Sequence, residues 1–245
     1  MNRRLIFGCI CFFTLLLTAK GQFSDSVTHH LRYAASGNIN RTNTTTAYLI
    51  TNDARFRVRN KKTTLNTGAS WVYGELGEKL TNNDFTGTVD FNLFLHGPDF
   101  YYWGLANYTI SLSLRVNSQL QSGLGVAYNF VDTTNAWLNL STGLLYETSS
   151  LRTAASGKDA YQTIRNSLRL SYRFVAGELF IFSGTNFLQN SLRDGNDYII
   201  RTTNSLQLKL NKWISFGTTL TYNQVRRTGS ENLLFSYGLT AEKYF

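Results

Sequence analysis

The chain reads as a succession of segments in which apolar and polar side chains alternate. The last segment shows this most plainly. Leu233, Phe235, Tyr237, Leu239, Ala241 and Phe245 fall on one face, and Ser236, Gly238, Thr240 and Glu242 on the other. A period of two is that of a β-strand with one apolar side. Over residues 160–174, Ile164, Leu168, Leu170, Tyr172 and Phe174 share a face on which Asn166 is the polar exception. Thr163, Arg165, Ser167, Arg169, Ser171 and Arg173 share the other. Residues 119–130 and 85–96 repeat the pattern, and about twelve such segments are predicted along the chain. A helical spacing would mix Arg with Leu on every face, and Gly within the segments weakens helices further.

Tight turns are predicted at Asn60-Lys61-Lys62, Gly97-Pro98-Asp99, Asp132-Thr133-Thr134-Asn135, Ala176-Gly177-Glu178 and Asn211-Lys212. Longer polar stretches lie between them at 76–82, 149–159, 191–197 and 226–232. Alternating short and long connections are the habit of outer-membrane barrels, with short periplasmic turns and longer outside loops.

The direction of the apolar face follows from volume. About eight strands already fill a barrel interior with side chains. A dozen strands with the apolar set inside would leave a void that close packing does not tolerate. Turned outward, the same set meets lipid, and closure satisfies every backbone group. Segments of about ten to fifteen residues agree with the roughly 9–11 that a tilted strand needs to span a bilayer. Trp71, Tyr73, Tyr101, Trp103, Trp137, Tyr146, Tyr172, Tyr198, Trp213 and Tyr222 sit near segment ends and suit two interfacial belts. The expected fold is an all-β, antiparallel up-and-down transmembrane β-barrel; the alternative is a soluble two-sheet sandwich.

Composition agrees. The sequence holds a single proline, Pro98, and 14% aromatic residues, as strand-rich chains do. Asn2, Arg3 and Arg4 precede an apolar run over residues 5–17 and the small-residue site Ala19-Lys20-Gly21. Residues 1–21 are expected to be a secretory signal cleaved before Gln22, with 22–245 the barrel domain. Both cysteines, Cys9 and Cys11, lie within that run, so the barrel has no thiol to staple itself. The net charge is +9, with no run of Lys or Arg longer than a pair. That excludes a nucleic-acid arm and leaves anionic lipid or anionic solutes as partners.

Ser36-Gly37-Asn38-Ile39-Asn40 with Thr44-Thr45-Thr46, then residues 123–128, Asp132-Thr133-Thr134, Leu138, Leu140, Gly143, Tyr146 and Glu147, resemble the YdiY-like outer-membrane β-barrel family, a bacterial domain of unknown function (DUF481). The resemblance covers residues 28 to 245 and implies the cell outer membrane, with no established activity. The last strand resembles the terminal aromatic signal read by barrel-assembly machinery, here Tyr237, Leu239 and Phe245, with Lys243 departing from the usual apolar residue.

Candidate chemistry is sparse. Adjacent His29 and His30 point to opposite faces of a strand and make a poor metal pair. His96 adjoins a turn, and no Gly-x-Ser-x-Gly elbow, phosphate loop or EF-hand spacing occurs. No catalytic residue, metal or cofactor is expected, although a lipid-modifying enzyme or a surface-loop binding protein stays as an alternative. The polar face is the better lead. Arg32, Arg55, Arg57, Arg165, Arg169, Arg173, Arg201 and Lys209 are expected to line the lumen, with Asp53, Asp90, Glu147 and Glu242 as acidic partners. Rings of basic side chains favour anions in pores. The expected role is structural, or a narrow porin-like passage for small anionic solutes. A lumen filled by Arg–carboxylate pairs is the competing reading.

Overall fold

The structure, a computed structural model, describes residues 28–41, 45–95, 97, 99–153, 157–177 and 179–244. The expected leader, His96 and Phe245 lie outside the described residues. Twelve strands follow one another: β1 (His29–Arg41), β2 (Thr46–Asn60), β3 (Thr63–Leu76), β4 (Lys79–Leu93), β5 (Phe100–Ser111), β6 (Val116–Asp132), β7 (Ala136–Leu151), β8 (Asp159–Ala176), β9 (Phe180–Ser191), β10 (Tyr198–Lys209), β11 (Ile214–Val225) and β12 (Ser230–Tyr244). Each pairs antiparallel with its neighbours in sequence, and β1 pairs with β12, so the sheet closes. This is the antiparallel up-and-down barrel that the period-two pattern predicts.

Burial is inverted relative to a water-soluble domain. On β8, Arg165 is 0% and Ser167 4% exposed, whereas Leu168 is 42% and Phe174 41% exposed. Polar exceptions on the apolar outer face are met by aromatic donors. Tyr33 Oη donates to Asn52 at 2.7 Å, Trp71 Nε1 to Asn83 at 3.0 Å and Tyr172 Oη to Asn204 at 2.6 Å. Such pairing matters where no water is at hand to satisfy an amide.

The up-and-down order places both described chain ends and the described residues of five connections, 61–62, 94–95, 97, 99, 133–135, 177, 179 and 210–213, at one end, the near end. The described residues of the other connections, 45, 77–78, 112–115, 152–153, 157–158, 192–197 and 226–229, lie at the far end. The expected alternation of short and long holds only in part. Instead of a long stretch over 76–82, Gly77 at φ 63° turns the chain within two residues, and β4 resumes at Lys79. The near-end connection 94–99 is longer than that turn.

The inner wall is not purely polar. Leu114, Val116, Leu151 and Val225 form one buried apolar cluster, with Tyr161 packed on it. Tyr101, Trp103, Ala127 and Leu145 form another. Tyr101 and Trp103, 5% and 6% exposed, therefore lie inside the barrel and not in an interfacial belt. β5 opens Phe100-Tyr101-Tyr102-Trp103, so both of its faces are aromatic and periodicity cannot choose between them. Glycines make room for the indole: a Cβ at Gly125 or Gly143 would lie 2.5 or 2.4 Å from Trp103 Cζ2. Trp103 Nε1 donates to the Val126 carbonyl at 3.1 Å.

Candidate functional site: the barrel lumen

The far half of the lumen is built around Arg165. Its Nε donates to Glu147 Oε2 at 2.7 Å and its Nη2 to Glu147 Oε1 at 3.2 Å. Nη2 also reaches Asp197 Oδ1 at 2.9 Å and the Tyr161 hydroxyl at 3.1 Å, and Nη1 donates to the Asp197 carbonyl at 2.9 Å. Glu147 accepts further bonds from Gln121 Nε2 at 2.6 Å, Ser149 Oγ at 2.9 Å and Tyr161 Oη at 2.5 Å. Arg165 and Glu147 are fully buried. A buried pair persists only where the remaining lone pairs and protons are satisfied, and here neighbouring strands supply the partners. Strands far apart in the ring join the same lattice. Arg201 on β10 donates to Gln119 at 2.5 Å and Gln121 at 3.4 Å on β6, and Gln121 donates to Gln189 on β9 at 2.9 Å. These bonds cross the lumen.

Above the lattice, far-end connections fold inward. Thr228 Oγ1 donates to the Leu114 carbonyl at 3.1 Å, and Asn232 Nδ2 to Ser113 Oγ at 2.8 Å. Ser113 is itself held by Asp84 at 2.6 Å. Arg227 pairs with Asp159 at 2.6 Å and lies 3.9 Å over the Tyr161 ring. The Asp159 carboxylate holds the Arg227 guanidinium above its ordinary pKa. Together with the Leu114, Val116, Leu151 and Val225 cluster, these contacts cap the lattice.

Nearer the other end, Arg169 Nη1 reaches Asp90 at 3.2 Å and Arg169 Nε reaches Ser141 at 2.9 Å. Its guanidinium carbon lies 5.8 Å from both the Trp103 and the Phe187 ring centroids. Such placement is a favourable cation–π geometry. Asn66 links Asp90 at 3.0 Å to Arg57 at 2.7 Å. At the near mouth, Arg32 lies 3.2 Å from Asp53 and 3.4 Å from Glu242, and Arg55 lies 2.9 Å from Asp53. Arg57, Arg59, Arg173 and Lys209 occupy inner-face positions of the strand alternation at this end. The mouth is therefore richer in cations than in carboxylates.

All eight basic and four acidic positions singled out from the sequence fall on the inner-face alternation, but in separate groups. Arg165 and Glu147 form the far lattice that Arg201 joins, Arg169 and Asp90 the middle, and Arg32, Arg55, Arg57, Arg173, Lys209, Asp53 and Glu242 the near mouth. Asp197, Tyr161, Gln119, Gln189 and Phe187 were not singled out. Asp197 sits in a connection, and the glutamines carry no charge to draw notice. Tyr237 and Leu239 are exposed on the outer face of β12. Among the described residues no group of three His, Cys, Asp or Glu side chains could hold a metal ion. His96, the candidate base of a lipid-modifying enzyme, lies outside the described residues.

No curated protein matches the sequence. Among solved structures, the NanC porin superimposes with a TM-score of 0.53 at 10% identity, over 87% of this chain and 99% of that one. The COG4313 outer membrane channel from Pseudomonas putida F1 gives 0.49 at 12% identity, over 92% and 97% of the two chains. The translocator domain of autotransporter NalP from Neisseria meningitidis gives 0.47 at 13% identity, over 87% of each. At these identities the NanC likeness shows a shared fold. Residues 33–237 match the family described as "Protein of unknown function, DUF481". The barrel and that match over most of the sequence make this chain a member of the DUF481 family.

Proposed function

We propose that the protein is an outer-membrane β-barrel, shut at rest, that receives small anionic solutes at a basic mouth facing the periplasm. The observation that carries this reading is the cross-lumen lattice of Glu147, Arg165, Asp197 and Arg201 beneath an apolar cap. Such a filling stops free diffusion, while the excess of guanidinium groups at the near mouth favours anions. The apolar outer face and the fold shared with a porin support the membrane placement. An even strand number sets both ends of the barrel on one side, which in an outer membrane is the periplasm. Outer-membrane lipid is then the partner of the outer face, and β12 with Tyr237 and Leu239, together with the Phe245 that follows it in the sequence, is the part offered to barrel-assembly machinery. The residues over 123–147 support placement in the YdiY-like part of the family.

Planar-bilayer recordings of the purified full chain test the closed state. The wild type should be silent for most of each recording. The double variant Glu147→Ala/Arg165→Ala removes both charges together and should show discrete, anion-preferring conductance. Heat-modifiable migration confirms that it is folded. Steady conductance by the wild type, or silence of the folded double variant, would sink the proposal.

A further inference from the structure

The ring closes unevenly. β1 and β12 are paired from His30↔Tyr244 to Ser36↔Gly238, and there the ladder stops. β1 runs on to Arg41 paired only with β2, and β12 reaches back to Ser230 paired only with β11. The same register, continued, would set Gly37 opposite Tyr237 and Asn38 opposite Ser236, but the strands have parted. Neighbouring seams show no such split: β11 and β12 are paired from Val225↔Ser230 to Ile214↔Ala241. Facing strand edges left open in a wall that meets hydrocarbon are costly, because their backbone groups find no water there. A split kept in that position calls for an occupant.

Two depressions meet at the split. On the inner side, a cavity of about 40 Å³ is lined by Arg32, Ala34, Ser36, Gly217 and Gly238 among others. A second depression, a groove of about 390 Å³, is lined by the outer-face residues Ile39, Tyr48, Ile50 and Tyr237 and, where it reaches through the split, by Asn38 and Leu49 of the inner-face alternation. They flank the last rung, with Ser36 and Gly238 in one and Gly37 and Tyr237 in the other. Gly238 permits the close approach there, since a Cβ would lie 2.2 Å from the Ala35 carbonyl oxygen. Small side chains line the wall inside the seam, whereas Trp103, Arg165 and Arg169 occupy the opposite side of the lumen. Arg32 stands on the inner face four residues below the last rung, roughly 13 Å along the strand. Arg55 on the adjoining strand is 59% exposed.

We infer that this seam is a lateral binding site for a single-chain anionic amphipath, a fatty-acid carboxylate. Its tail lies in the outer groove, and its carboxylate passes the last rung toward Arg32 and Arg55. The apolar outer residues of the groove match an acyl chain, the basic mouth matches the head, and an inner cavity of about 40 Å³ leaves no room for a second chain. The inference rests on the membrane placement proposed above.

The test uses the full chain in phosphatidylcholine vesicles with a diazirine-bearing fatty acid, followed by peptide mapping. Labelling should saturate, concentrate on residues 37–39 and 48–50 and on Tyr237, and be competed by oleate at least tenfold better than by its methyl ester. The barrel domain has no cysteine of its own, so Asn38→Cys with Ser236→Cys can close the seam by oxidation. Oxidation should cut the labelling about tenfold, and reduction should restore it. Uniform labelling of the apolar outer face that ignores the lock overturns the seam site and leaves the membrane placement standing. No labelling of that face overturns both. Cross-links joining the seams of two copies would show a strand-edge contact instead, and would also overturn it.

Discussion

Replacing Arg165 by Met tests whether the far lattice holds the barrel together. The side chain is fully buried and gives up its bonds to both Glu147 oxygens, to Asp197 and to Tyr161. Glu147 is left with the neutral hydrogen-bond donors Gln121, Ser149 and Tyr161 and no direct ion pair among the described residues, although Arg201 stays nearby in the lattice, and Asp197 keeps the Arg227 guanidinium at 3.5 Å. Removing one partner of a buried pair costs about 3–5 kcal/mol, because the remaining charge stays out of water. With an m-value of about 2 kcal/mol per molar, the urea midpoint should fall by roughly 2 M. Arg55→Met is the internal comparison. Arg55 is 59% exposed and bonds Asp53 at the wet near mouth, so the expected loss is about 0–1 kcal/mol. The assay is urea unfolding in lipid vesicles, followed by tryptophan fluorescence, to which the lumenal Trp103 contributes. Adding Glu147→Gln to Arg165→Met should recover part of the loss, since it removes one of the stranded charges. Equal midpoints for Arg165→Met and Arg55→Met, or no recovery in the double variant, would refute the reasoning.

Two further outcomes follow from the packing. The nearest atoms to a Cβ at Gly184 belong to side chains, Asn204 Oδ1 at 2.3 Å and Tyr172 Cζ at 2.5 Å, whereas the nearest to one at Gly125 is the Thr142 carbonyl oxygen at 2.2 Å. Gly184→Ala should therefore cost about 1 kcal/mol and be rescued by Tyr172→Ala, while Gly125→Ala should cost about 3 kcal/mol and resist rescue by Trp103→Ala, both read from urea midpoints. Thr228→Val removes the hydroxyl bond to the Leu114 carbonyl that ties two far-end connections together; it should cost about 1 kcal/mol and speed amide exchange over residues 112–115 and 226–229, with unchanged exchange counting against a cap.

The sequence by itself determined the strands. A period of two written with Leu, Phe and Tyr against Ser, Thr and Arg admits one local structure, and the turn residues at Asn60, Asp132 and Asn211 mark where β2, β6 and β10 end. It also determined which face of most strands is apolar, since alternation needs no knowledge of the neighbours. The first four residues of β5 are the exception, because aromatics occupy both parities there. What fills the lumen was decided by the closed sheet. Arg201 meets Gln119 although 82 positions separate them, because the stagger of the strands in the ring sets which inner positions face each other at one height. No local pattern encodes that stagger. Asp197 illustrates the same limit: in sequence it is one polar residue of a connection, and only the inward fold of that connection brings it to Arg165 at 2.9 Å. The parting of β1 and β12 above Ser36 is likewise a property of closure, since the two strands lie at opposite ends of the chain and each alone reads as an unbroken strand.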